Sequence, residues 1–437
     1  MLAINQIKTA TLCRLALFML FMMGFKQIAS SQAVYDNLRL KWRNFLVSYS
    51  SPSSYDTSNV GSYWRNMKKN SDRTYLWSEW NFSPSDPNSG EITNSYARLN
   101  SMALAWAIPS SPLYHNYLLK TDIIGAMEWL YQNHYNINVT HPDHDSNATL
   151  NWWDYQIGTP LEINDLVTIF YDSMTTTQKS NYLDVVHHFT PDFKQRYSSE
   201  DSNSVFTMAN RVWVSSVIAL RGILVKDSTR IRYASDSLAS VFTYASSKDG
   251  FYQDGSFIQH QQFAYTGGYG ASLMSILADE LYLLKGSVFQ VNHPNVVNVY
   301  KWVYDSFAPI MYRGGLMSMT MGREISWPVH EEIKQGRRLT EAVSLLADIA
   351  PISDTLKLRR IVKRWALDQG NPGKYSNRYQ PFINKALNYS TIKPDSSYET
   401  SYDQFSGMDR ALQRHPKYAL LGYQCWVWLD RQTQRHA

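Results

Sequence analysis

A histidine and, after it, two tyrosines lie within one glycine-framed stretch of this chain, Asp249-Gly250-Phe251-Tyr252-Gln253-Asp254-Gly255-Ser256-Phe257-Ile258-Gln259-His260 followed by Tyr265-Thr266-Gly267-Gly268-Tyr269-Gly270. Imidazole and phenol side chains give and take protons, and glycine admits backbone geometries that let a ligand approach closely. The arrangement suits an exposed loop leading into a helix. A lone histidine is more often a satisfied structural residue, but Asn210-Arg211 stands upstream and Met321-Gly322-Arg323-Glu324 downstream. That is a fuller set of polar groups than packing needs, and it points to a reaction.

These groups require a scaffold, and the apolar pattern indicates helices. Leu38, Leu40, Trp42, Phe45 and Leu46 recur at the spacing of an amphipathic opening helix. Further helices are expected around Tyr96 to Ile108, Tyr114 to His134, Leu161 to Ser173, Thr177 to His188, Val205 to Leu224, Ser228 to Ser246 and Ser256 to Leu284, separated by Pro/Gly/Asn/Asp/Ser clusters such as Ser83 to Gly90. Alternating strand patterns are scarce. The chain is therefore predicted to be all-α, built of helical hairpins in a bundle, solenoid or closed toroid, among which periodicity does not choose. In Asn151-Trp152-Trp153-Asp154-Tyr155 two adjacent indoles must point in different directions, so at least one is expected to face a cleft or solvent.

Composition narrows the partners. With 437 residues, 44% hydrophobic and 18% charged, the chain can bury a large core in one domain. Thirty Tyr and 14 Trp suit either packing or stacking on flat ligand faces such as sugar rings. The net charge of +5 favours polyanions, while no Lys/Arg-rich run marks a nucleic-acid binder. Lys8 and Arg14 precede an apolar run from Leu15 to Phe25 and the small residues Ala29-Ser30-Ser31-Gln32-Ala33. Residues 1–33 thus read as a secretory signal peptide, too short for a comfortable bilayer span of roughly 20 apolar residues. The expectation is a secreted or periplasmic monomer, free of the membrane after cleavage. Cys13 lies in that leader, so Cys425 alone cannot make an intrachain disulfide. His141, Asp143, His144 and Asp145 lack a recognised ligand spacing and are expected to form a solvated turn, not a metal site.

Taken in order, NWWDYQIGTP at Asn151, ANRVW at Ala209, ALRGIL at Ala219, DGFYQDGSFIQH at Asp249, AYTGGYG at Ala264, YDSFAPIMYRGG at Tyr304, MGREIS at Met321 and MDRALQRHP at Met408 resemble the helical domain of polysaccharide lyase family 8, the hyaluronate, chondroitin AC and xanthan lyases. The resemblance implies an α/α-toroid over 34–418 that cleaves uronate-containing, glycosaminoglycan-like polymers by β-elimination, leaving a 4,5-unsaturated uronate and needing no cofactor. It assigns Asn210 to the uronate carboxylate, His260 and Tyr269 to the proton transfers and Arg323 to charge stabilisation. Abstracting the weakly acidic C5 proton places charge on that carboxylate, and donors aimed at it lower the barrier. Which of His260 and Tyr269 removes the proton is left open. Trp152 and Trp153 match the family's aromatic patch, with Phe206 beside them. Arg211 is a second anion contact or a structural ion-pair partner, and Glu399 corresponds to an acidic residue that orients catalytic groups in some relatives. Trp327 stands where many relatives carry a second Arg. Relatives continue into β-sheet domains, whereas 419–437 reads as an atypical tail, so the toroid is expected to be incomplete and the chain to have weakened or no activity. Two competing expectations are a glycan-binding remnant and a toroidal glycoside hydrolase, for which Asp154 and Asp254 are the available acids.

Overall fold

The computed structural model describes residues 32–48, 55–83, 88–139, 150–195, 204–326, 331–370 and 375–423. Helix α1 covers 32–46. It is followed by α2 (Ser58–Asn66), α3 (Gly90–Ala107), α4 (Tyr117–Asn133), α5 (Thr159–Phe170), α6 (Thr176–Phe189), α7 (Met208–Val225), α8 (Ser228–Ser237), α9 (Ala271–Leu284), α10 (Asn298–Trp302), α11 (Glu331–Ile349), α12 (Ile352–Asp368) and α13 (Gln380–Leu387). Local chemistry sets several of the starts. The Asn116 side chain accepts from Leu119 N at α4, Thr175 and Gln178 form a reciprocal capping box at α6, and Asp227 accepts from Thr229 and Arg230 N at α8.

Consecutive helices pair as hairpins, α3 with α4, α5 with α6, α7 with α8 and α11 with α12, while α3, α5, α7, α9 and α11 pack side by side. The inner members run in one direction. Thr93 meets Thr159 and, two turns on, Asn100 meets Glu162; Trp213 meets Tyr269 and, further on, Ser215 bonds Glu280. Helix α7 is long and apolar enough to cross a membrane, and here that composition serves burial among its neighbours. A charged network crosses the interior. Arg378 lies 3.5 Å from Asp279, which also accepts from the Tyr379 hydroxyl, and Asp165 on α5 accepts from the Trp42 indole of α1. Buried charges persist only when paired in this way.

The chain is predominantly helical, but the all-α expectation omits three small antiparallel sheets. One is β1 (Gly250–Phe251), β2 (Phe257–Gln259) and β3 (Phe263–Ala264) in that order; the second is β4 (Met311–Tyr312) with β5 (Gly315–Leu316). The third joins β6 (Ser401–Phe405), β7 (Arg410–His415) and β8 (Tyr418–Tyr423). Residues 419–423, expected to begin an atypical tail, pair with β7 from Ala419 opposite Arg414 to Tyr423 opposite Arg410. The helix expected over Ser256 to Leu284 also needs correction. Its first third is β2, a left-handed turn at His260 (φ 54°) and Gln261 (φ 69°), and β3; regular α-helix begins only at Ala271. Beneath this hairpin Phe251 stacks on Trp302 at 4.1 Å and contacts Phe257 at 4.5 Å, all three fully buried. Truncating such a phenylalanine typically costs about 3–5 kcal/mol. Residues 1–31 of the expected leader, the His141–Asp145 turn, Trp327 and Cys425 lie outside the described residues.

Candidate active site

The chemically equipped residues gather at the N-terminal ends of the inner helices. Trp152 and Trp153 precede α5 through a π-helical turn, Asp154–Gly158; Asn210 is in the first turn of α7; Tyr269 sits in a second π turn, Thr266–Gly270, that opens α9. Arg323 lies in a short 3₁₀ helix, Gly322–Ser326, ahead of α11, and His260 is presented by the turn between β2 and β3. Single π turns of this kind re-aim side chains. Helix N-termini carry partial positive charge, so this end of the fold suits an anion.

A run of ring contacts joins these positions. Trp153 meets Trp213 edge-on at 6.0 Å, Trp213 meets Tyr269 at 5.8 Å, and Tyr269 meets His260 at 4.9 Å with the rings nearly perpendicular. Tyr265 stands 4.9 Å from Tyr269 and 6.1 Å from His260, and its hydroxyl accepts from Arg323 N at 3.1 Å. Arg323 is exposed, whereas Asn210 is buried and its carboxamide Oδ1 has no partner among the described residues. Buried polar atoms are nearly always paired, so an orphan here marks a place where a ligand can complete the bonding. A cavity of about 590 Å³ opens beside His260, Tyr265 and Arg323, rimmed by the exposed Phe263 and Ile325.

Electrostatics divides the proton-transfer groups. Partial burial lowers the His260 imidazole from its ordinary value; Asp249 opposes the shift and Arg323 adds to it. Burial raises the Tyr269 phenol, with Arg323 pulling against it and Glu324 reinforcing it. Both shifts favour the uncharged forms, the neutral imidazole of His260 and the intact phenol of Tyr269. Glu324 itself is pushed up to about 7 by burial, against the pull of Arg338, and accepts a 3.1 Å bond from Gln335.

Four contributors received no individual role from the sequence, although all four stand in its motifs. Trp213 follows Asn210 by three residues and so shares its helical face. Tyr265 and Glu324 are near neighbours of Tyr269 and Arg323, and Asp249 precedes β1. Spacing places Trp213 near Asn210, but no local pattern reveals what the other three contact.

The remaining expected site residues fall into different settings. Trp152 is half-buried against Phe206 at 5.3 Å, and Trp153 folds over Gly158, where an added Cβ would meet its ring at 2.4 Å. Phe206 is buried and thus supports Trp152 from below. Arg211 donates to the backbone carbonyls of Ser237 (2.8 Å) and Phe206 (3.2 Å) with its guanidinium over the Phe193 ring, which makes it a backbone clasp. Glu399 is not brought to the cluster; it pairs with Arg364 of α12 at 2.6 Å. Asp154 and Asp254 are held apart by separate duties, Asp154 accepting from Ser89 and Thr93, Asp254 from Ser256 N and Gly407 N.

Residues 48–364 match the family model described as polysaccharide lyase family 8, N terminal alpha-helical domain. A xanthan lyase of Bacillus sp. (strain GL1) is 33% identical over 408 residues, 90% of this chain and 42% of that protein; a hyaluronate lyase of Enterococcus faecalis (strain ATCC 700802 / V583) is 30% identical over 425 residues, 90% of this chain and 41% of that protein. Among solved structures, a Paenibacillus xanthan lyase superposes with a TM-score of 0.77 at 34% identity, covering 89% of this chain and 36% of the other. A Streptomyces coelicolor A3 chondroitin AC lyase in complex with chondroitin sulphate gives 0.75 at 26% identity, covering 87% and 52%. The chain thus spans about two fifths of the length of the curated relatives it matches. With a family-model match across most of its length, this chain belongs to polysaccharide lyase family 8 and carries that family's helical domain.

Proposed function

We propose that this protein is a secreted or periplasmic, monomeric polysaccharide lyase that breaks a uronate-containing polymer by β-elimination. The carrying observation is the edge-on pair His260–Tyr269, 4.9 Å between ring centres, with Arg323 acting on both groups and the orphaned amide of Asn210 on the α7 face whose Trp213 touches Tyr269. One reacting sugar can lie within reach of both rings. The Asn210 carboxamide, turned to donate, and the Arg323 guanidinium would bind the carboxylate on which negative charge develops. The lowered imidazole of His260 is free to accept the C5 proton near neutrality, and the raised phenol of Tyr269 retains the proton needed by the departing O4. Acceptance and donation balance, and the products are a 4,5-unsaturated uronate and a new chain end. Trp152 and Trp153 would stack on sugar faces further along the cleft. We read the side-by-side inner helices and their paired outer helices as part of an α/α-toroid. The substrate is an acidic glycan of the xanthan, hyaluronan or chondroitin kind. The test is incubation of the chain with each polymer while following the ultraviolet absorbance of the conjugated product. Absorbance that grows with the parent and not with Tyr269→Phe is expected; new reducing ends without absorbance would replace elimination by hydrolysis.

A further inference from the structure

Asp249 joins the two backbone segments that carry His260 and Asn210, and the proposed chemistry makes no direct use of it. One carboxylate oxygen accepts from Gln261 N at 2.6 Å; the other accepts from Gln259 Nε2 at 2.8 Å and from the Thr207 hydroxyl at 2.7 Å. Gln259 and Gln261 flank His260. Both His260 and Gln261 have left-handed backbone (φ 54° and 69°), which residues other than glycine rarely adopt, so the turn depends on bonds that hold it. Thr207 immediately precedes α7, three residues before Asn210. Its hydroxyl does not cap the helix but turns to Asp249, and Met208 after it also has positive φ (39°). One carboxylate therefore bridges two strained entries, one to the imidazole and one to the amide.

We propose that Asp249 is a positioning residue of this site, its carboxylate fixing both the turn that presents His260 and the start of α7 that presents Asn210. Asparagine replaces it poorly: with its amide oxygen on Gln261 N, its NH2 would force the Thr207 hydroxyl to turn and accept and the Gln259 amide to flip, and the negative charge beside His260 would be lost. The carboxylate also acts on His260 through space. The groups facing that imidazole are Asp249, Arg323 and the rings of Tyr265 and Tyr269, and Asp249 is the one that favours its protonated form. The kinetic consequence rests on the lyase reading; the placement does not.

The experiment compares the parent chain with Asp249→Asn and Asp249→Glu, measuring kcat/KM for the unsaturated product against pH and, with no substrate present, the His260 titration by nitrogen-15 NMR of labelled imidazoles. In Asp249→Asn, His260 should titrate at lower pH than in the parent, and kcat/KM should fall about 100-fold, as displacements near 1 Å at a catalytic group do. Asp249→Glu, which keeps the charge but shifts it by one methylene, should leave the His260 titration near the parental position while lowering kcat. An unmoved His260 titration in Asp249→Asn overturns the proposal, as does parental kcat/KM in that variant. If Asp249→Asn fails to fold, parental kcat in Asp249→Glu overturns it instead. If the parent itself forms no unsaturated product, the lyase reading falls and the NMR titration alone decides the role of Asp249.

Discussion

Gly322→Ala should disable the site through Tyr265, whose ring lies between the proposed proton-transfer residues His260 and Tyr269 in sequence and packs against both. Gly322 has φ +55°, and a Cβ there would lie 2.4 Å from both Cε2 and Cζ of Tyr265. The ring is buried, and a Cβ at Gly268 would likewise meet its Cε1 at 2.7 Å, so the bare backbone at both glycines is what leaves it room. Tyr265 is held between two glycines. The left-handed backbone costs an alanine about 1 kcal/mol relative to glycine, and forcing extra volume into packed surroundings adds roughly 1–3 kcal/mol. Urea unfolding should show a loss of about 2–4 kcal/mol by summing those two effects. Because Tyr265 touches Tyr269 at 4.9 Å and accepts from Arg323 N, its displacement should also lower kcat/KM by about 100-fold. Gly286→Ala separates the two costs, since Gly286 has φ +78° with nothing within 4 Å of the added Cβ and should lose only about 1 kcal/mol. Parental stability and parental kcat/KM in Gly322→Ala would refute the clamp. Equal losses in the two variants would show that backbone strain, not contact with Tyr265, explains the effect.

Tyr269→Phe and His260→Ala should each reduce product formation by about 10²–10⁴-fold with unfolding midpoints near the parent's, and the double variant should lose little more than either single one. Because burial lowers His260 below the ordinary imidazole value of about 6.5, the acid limb of the kcat/KM profile should fall below that pH; a limb above it would argue against His260 as base. Asn210→Asp should impair elimination more than Asn210→Ala, since it sets a second negative charge against the substrate carboxylate; the reverse order in kcat/KM would remove Asn210 from that role. Glu280 on α9, buried with Oε2 unpartnered, is raised to about 8 from 4.5. Between those values the folded state holds a proton that the unfolded chain has released, so stability falls as pH rises. Relative to Glu280→Gln, the parent should lose on the order of 1 kcal/mol per pH unit across that window and nothing further above it, as followed by chemical unfolding at several pH values.

The sequence carries the helices from α3 to α7 well: the outer α4 and α6 bury one stripe of a 3.6-residue period, while the inner α5 and α7 are buried almost all round. It carries the stretch from Ser256 to Ala271 poorly for a physical reason. Strands of two or three residues are too short to display alternation, and β2 is buried on both faces, so Phe257 and Ile258 mimic the apolar run of a helix. His260 and Tyr269, nine residues apart, would diverge on a continuous α-helix. The hairpin and the π turn together fold them to 4.9 Å, an outcome fixed by Asp249, by the glycines around Tyr265 and by the aromatic floor of Phe251 and Trp302. Long-range pairing likewise decides Glu399, whose carboxylate finds Arg364 on a helix 35 positions upstream.

The same construction would let a mainly apolar helical scaffold serve the acidic ligand proposed above. Inner helices aligned in one direction leave their N-terminal ends together, and the chain inserts its irregular segments there: two π turns, a left-handed hairpin and a 3₁₀ turn. Each interrupts the regular bonding just where a side chain must be aimed, and each is braced by the rigid packing one turn below it. Arg323 supplies the fixed charge at the surface, Asn210 the buried neutral dipole. A buried cation in place of Asn210, added to the exposed Arg323, would depress the imidazole further and weaken it as a base; in the proposed reaction a neutral amide there would stabilise the carboxylate without that penalty. On the proposed reading, the division between one exposed guanidinium and one buried carboxamide would let the same few residues bind an anion and keep a base able to take its proton.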